Sequence, residues 1–431
     1  MLAFGIQAII NNHFDLQFTS NIKKGLSVFH HKICTFELSM AEKAFITPNV
    51  LKWARESAKM TELIAAAKVS VTVEKLKEWE DGINQPTIRQ AQTLAKAYKR
   101  PFALFFLPDI PRDFQPLQDF RKSGSKSLTT SSIFIIREIQ QKQAWLSDVY
   151  SDNQEEKLQF VGRYTINDNP QDVANNILET LDINPSFYKS DNPIKEWIDA
   201  AETNGIFISR TSFIHSRLKL DSYELQGFAI ADPYAPFVFV NSEDWNAPQL
   251  FTLVHELAHI WIAETGISND VEHEINNKDK FHPVELFCNE VAANALMPKG
   301  IVLNFGAESF RSSKDVFRIS KQLGVSSFAL LVRALKLNII SISSYQQLKK
   351  EADIDFAEFL KKEAEKKAKQ KVKENPGGPN YFLLQLNRNS RLFTQTVLDA
   401  FRGGFIEPTL ASNLLNVQVN KFKKLESQLV R

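Results

Sequence analysis

The chain has 431 residues, 43% of them hydrophobic and 24% charged, which is enough for a sizeable core and for two or three domains. Its formal charge of +2 rules out a chain that is basic throughout, so any nucleic-acid-binding surface has to be local. Two cysteines, Cys34 and Cys288, exclude a disulfide framework or a cysteine-rich metal site and fit a reducing cytoplasm. No run approaches the ~20 apolar residues of a membrane span, so no membrane partner is expected. The greasiest stretch, Phe102 to Leu107, has the length of a buried segment.

Residues 1–39 carry neither a signal-peptide pattern nor an apolar period. They read as an unstructured extension, or as translation assigned upstream of a start at Met40. From Thr47 the pattern turns helical. Short helices are expected from Pro48, over Thr61 to Ala67, over Val73 to Glu80 and from Pro86-Thr87, with Ala91, Leu94, Ala95 and Tyr98 as a core stripe. This pitch outlines a helix-turn-helix bundle of the five-helix type over residues 40–107. Residues 108–168 begin with Pro108, Pro111 and Pro116 and read as a linker and helical join, with a long helix from Ile133 to Tyr150.

A further domain-sized segment, residues 169–345, follows. Helices are expected over Gln171 to Leu181 and Pro193 to Thr203, then β runs at Ile206 to Ser209, Gly227 to Ile230 and Phe237 to Val240. Asp232 to Pro236 reads as the hairpin between the last two. Residues 346–375 form a charged helical connector, with nine lysines against seven acids between Lys349 and Glu374. Asn375-Pro376-Gly377-Gly378-Pro379 breaks it, and 376–431 reads as a C-terminal helical module. The fold class expected is α+β, mainly α.

The chemistry concentrates in Phe251-Thr252-Leu253-Val254-His255-Glu256-Leu257-Ala258-His259. On a helix, i and i+4 share a face, so His255 and His259 can present ring nitrogens to one zinc ion. Glu256 sits about 100° round the helix, placed to act as a general base on water without ligating. A helix starting near Pro283 offers Glu285 as third ligand and, one turn on, Asn289 to accept from the second N–H of a ligating histidine. His215, His273 and His282 are available as transition-state donors, and none is assigned. Cys288 has no residue spaced to activate it as a nucleophile.

The two-part pattern, with Cys288-Asn289-x-Val291-Ala292-Ala293 leading to Leu296-Met297-Pro298, resembles the ImmA/IrrE family of metallopeptidases. Cys288, Val291 and Ala295 depart mildly from the family's ExxA(N/D)xFAAxLLMP. The resemblance covers roughly Asn169 to Ile342 and implies a zincin-like domain with a small sheet and two metal-binding helices. It implies a zinc endopeptidase that cleaves a repressor or regulator. Trp79-Glu80-Asp81-Gly82 with Pro86-Thr87 and Leu94-Ala95 resembles the lambda-repressor-like (XRE) helix-turn-helix, a recurrent fusion partner of that family. The segment from Arg100 to Asp119-Phe120-Arg121 looks like the join of such fusions.

Thr72, Val73 and Lys77 are the candidate DNA-facing residues, although Glu74 and Glu78 share their face and repel phosphates. Eleven basic and seven acidic residues between Met40 and Leu107 leave room for a positive face elsewhere. An extended substrate is expected to pair with Phe237 to Val240. The alternative reading is a DNA-binding regulator, or an antitoxin with a toxin partner, in which the peptidase fold acts as sensor.

Overall fold

In the computed structural model the described residues are 42–112, 117–120, 127–215, 218–268, 282–373 and 380–429. The extension 1–39, His273 and the breaker 375–379 lie outside them. Four short helices come first: α1 (Pro48–Ser57), α2 (Glu62–Lys68), α3 (Val73–Glu80) and α4 (Ile88–Ala97). Threonines start three of them. Thr61, Thr72 and Thr87 accept from the backbone N–H three residues on, and Gln90 completes a capping box with Thr87. Leu51, Leu76, Trp79, Leu94 and Tyr98 fill the bundle. The expected fifth helix is a 3-10 turn, Phe102–Phe106, which buries Phe105.

The rest of the chain is ordered around one sheet. After β1 (Gln118–Asp119) come α5 (Thr130–Asp152), α6 (Pro170–Leu181) and α7 (Pro193–Thr203). Strands β2 (Phe207–Thr211), β3 (Phe213–His215), β4 (Leu218–Lys219), β5 (Gly227–Ile230) and β6 (Phe237–Asn241) precede helix α8 (Asn246–Trp261) and strand β7 (Gly266–Ser268). Helices α9 (Pro283–Leu296), α10 (Lys299–Phe305), α11 (Ser313–Leu323), α12 (Ser327–Lys336) and α13 (Ile342–Lys373) follow. The chain closes with α14 (Tyr381–Asn389), α15 (Arg391–Arg402), α16 (Pro408–Leu415) and α17 (Phe422–Glu426). The main sheet runs β1-β7-β5-β6-β2, and β3 and β4 form a separate pair. The β5–β6 hairpin turns at Asp232, whose carboxylate accepts from the backbone of Tyr234 and Ala235.

Alternation along the strands gives the sheet two unlike faces. Ile208, Ala229, Val238 and Val240 point into a core built with α6, α7, α8, α9 and α12. Phe207, Phe228, Phe237 and Phe239 point the other way, stacked in pairs at 4.9 and 5.1 Å. That phenylalanine face is covered by α5 and the C-terminal helices, so the short bundle, α5 and α14–α17 share its core. Arg388 anchors the seam, with Nη1 donating to Ile214 O and Nη2 paired with Glu138. Residues 43–431 form one compact unit. No helix among the described residues is long and apolar enough to cross a membrane.

One expectation is overturned by the strand order. β6 lies between β5 and β2, with both edges already hydrogen-bonded, so Phe237 to Val240 cannot pair with a substrate. The strand and its two neighbours, β2 and β5, are each legible as apolar runs, but which strands lie side by side is set by the tertiary topology and not by the local pattern.

Candidate metal centre

Helix α8 is apolar nearly all round, and every residue from Gln249 to Trp261 is buried. A helix of that kind has no solvent face, so the polar side chains in it must find partners inside. His255 and His259 point across to α9, where Glu285 occupies the first turn behind the N-cap His282 and Pro283. Glu285 bridges both rings, with Oε2 and Oε1 each 3.2 Å from the Nε2 of His255 and His259. The two Nε2 atoms are 3.1 Å apart. All three side chains are buried, and their donor atoms lie within 4.8 Å of one another, close enough to hold one metal ion.

Asn289, one turn along α9, places Oδ1 2.9 Å from His255 Nδ1. An amide oxygen only accepts, so Nδ1 carries the proton and Nε2 is turned to the cluster. Burial pulls the His255 imidazole down, yet the Glu285 carboxylate outweighs it and leaves the pKa raised. At His259 burial prevails and the pKa falls. Burial pushes Glu285 up, but the two imidazoles hold it at about 2. Burial raises the Cys288 thiol, reinforced by Glu285 and Glu256, which keeps it protonated and unsuited to nucleophilic attack.

Glu256 is fully buried beside the cluster. Its carboxylate fits because β5 begins with glycine: a Cβ on Gly227 would stand 2.7 Å from Glu256 Oε1 and 2.8 Å from Thr252 Cγ2. On the outer side, Phe120 packs over the cluster, stacked on the His259 ring at 5.4 Å and tilted against His282 at 5.0 Å. The far end of α9 is pinned by Arg333 of α12, whose Nε and Nη2 donate to Met297 O and Asn294 Oδ1.

Residues 201–335 match the family model of a peptidase domain described as IrrE N-terminal-like.

The IrrE N-terminal-like match runs from the end of α7 into α12 and so contains His255, Glu256, His259, Glu285, Asn289 and Gly227. The region is thus similar to peptidases of that family, and Phe120 lies outside the match. The curated proteins contain no match to this chain. The remaining sequence candidates lie elsewhere. Thr72 and Lys77 are exposed on the short bundle, Val73 is half-buried against its core, and His215 is exposed on β3. Gly227 was read only as the start of a strand and Phe120 only as part of the join; each matters to the site through what the fold brings against it.

Proposed function

We propose that the chain is a zinc-dependent endopeptidase that cleaves a repressor or regulator protein, with His255, His259 and Glu285 as zinc ligands and Glu256 as general base. The observation that carries this reading is the spacing of the donors. Ligand atoms about 2.05 Å from a tetrahedral centre stand about 3.3 Å from one another. The two imidazole Nε2 atoms are 3.1 Å apart, each is 3.2 Å from one of the two Glu285 oxygens, and one ligand atom from each residue lies within 4.8 Å of the others. That donor set suits zinc and leaves a fourth position for chemistry.

When bound, zinc polarises a carbonyl and makes water a stronger acid. The chain's own residues do the rest. Glu256 takes a proton from the attacking water and returns it to the departing amine nitrogen, so the acyl half gains hydroxyl and the amine half gains hydrogen. Asn289 fixes the ring orientation of His255, and the apolar surroundings of α8 exclude competing water.

Purified chain is expected to hold close to one zinc, and Glu285→Ala to lose most of it by elemental analysis. Glu256→Gln is expected to keep the metal and lose cleavage of regulators encoded by neighbouring genes by 10²-fold or more, roughly the contribution of general-base catalysis. Equal cleavage by the wild type and Glu256→Gln would sink the assignment of the base.

A further inference from the structure

The segment 117–120 precedes the peptidase match in sequence but packs against it in space. Gln118 and Asp119 pair in parallel with Gly266 and Ile267, making β1 the outermost strand on the side of the metal centre. Phe120 continues the ladder, its N–H donating to Ile267 O at 3.1 Å. Its side chain is 1% exposed, against the ring of His259. The floor beneath the ring is Gly266, where a Cβ would lie 2.2 Å from Phe120 Cε2. A benzyl-sized space beside a metal ligand is therefore built by one element of the peptidase region and filled by another part of the chain.

We infer that the outer edge of β7 is the peptide-binding groove, that it takes an extended polypeptide with an aromatic or large apolar side chain next to His259, and that residues 117–120 occupy it in cis. The inference rests on the peptidase reading above. An extended peptide gains main-chain hydrogen bonds by adding to a sheet edge, and pockets for its side chains then set specificity. Among the described residues the β1–β7 pairing comprises two residue pairs plus the Phe120 N–H, so exchanging it for a longer substrate strand loses few hydrogen bonds and regains them. Phe120 supplies the apolar burial that a substrate side chain would have to match.

The test uses the full-length zinc-loaded chain and two blocked amino-acid hydroxamates, one with a phenylalanine and one with an aspartate side chain, titrated by calorimetry. Phe120→Ala is expected to bind the phenylalanine probe about tenfold or more tighter than wild type, the aspartate probe staying weak. Adding Gly266→Ala fills the floor of the space and is expected to abolish that gain. Phe120→Leu, which keeps an apolar side chain there, serves if Phe120→Ala does not fold, and is expected to gain partially. Equal affinity of the phenylalanine probe for wild type and a folded, zinc-loaded Phe120 variant would overturn the inference. If wild type takes up no zinc, the peptidase reading falls on its own. The groove is then tested with metal-free protein and N-acetylphenylalaninamide: binding to Phe120→Ala and not to wild type supports it, and no binding to either overturns it.

Discussion

Gly227 is the residue on which the geometry of Glu256 depends. Alanine there would place its Cβ 2.7 Å from Glu256 Oε1, with Phe239 O at 3.0 Å behind it, so the carboxylate has to move and the strand cannot. A displacement of about 1 Å in a reacting group costs on the order of 10²-fold in rate. On the proposed zinc-peptidase reading, Gly227→Ala is expected to lower kcat/KM by about that factor, to leave zinc content equal to wild type, and to lose about 1–3 kcal/mol of stability from overpacking. Unchanged kcat/KM would mean that Glu256 does not work from its present rotamer. At this scale the sequence was informative where spacing is local. His255, Glu256 and His259 share one helix turn, and Glu285 and Asn289 share another, so helix geometry alone groups them. Gly227 and Phe120 were out of reach as site residues, since a glycine that opens a strand and a phenylalanine after three prolines look ordinary until tertiary packing sets them against the centre.

Among elements, the helices were legible because their caps and apolar periods are local. The expected range of α3, Val73 to Glu80, is the observed one, and Thr72 caps it. The short strands β1 and β7 were not, because two or three residues carry no period. Helix α3 also revises the charge conflict read from sequence. Glu80 is turned inward, where both its oxygens accept from Arg55 at 2.7 and 2.8 Å. Glu78 accepts from Lys75 Nζ at 2.6 Å, and Lys77 pairs with Glu62 at 3.2 Å. Glu74 is exposed and its pKa is lowered by its own backbone N–H and the Thr72 hydroxyl, so it stays ionised. If the bundle binds DNA through α3, Glu74→Gln with Glu78→Gln removes one repulsive charge and releases Lys75 for phosphate. Non-specific affinity for duplex DNA is expected to rise, with a steeper slope against log salt by about one to two. Identical titrations of wild type and double variant at two salt concentrations would take α3 off the DNA.

Across the whole molecule, the C-terminal helices are held to the peptidase region through buried polar groups, and one of them titrates near neutrality. Glu202, at the end of α7, accepts from Ser390 Oγ at 2.6 Å and from the Arg391 backbone N–H at 3.0 Å. Burial raises its pKa to about 7, the donors from Ser390 and Arg391 offsetting only part of that. A carboxyl raised above its ordinary value binds its proton more tightly in the folded chain than in the unfolded one. Its contribution is therefore fully present below about 4.5 and is lost as pH rises through about 7. A displacement of that size corresponds to on the order of 3 kcal/mol. Glu138, a half-buried acid at this seam, is pushed up by its partial burial, but Lys142 and Arg388 outweigh that and hold it at about 2, so it does not titrate in the same window. Urea midpoints measured from pH 5 to pH 8 are expected to fall more steeply for wild type than for Glu202→Gln, whose amide oxygen still accepts from Ser390 but carries no charge to bury. The two curves should converge near pH 5 and separate towards pH 8, with the variant the more stable there. Parallel curves across the range would show that Glu202 is ionised throughout, and that the seam is held by a buried carboxylate and not by a neutral acid.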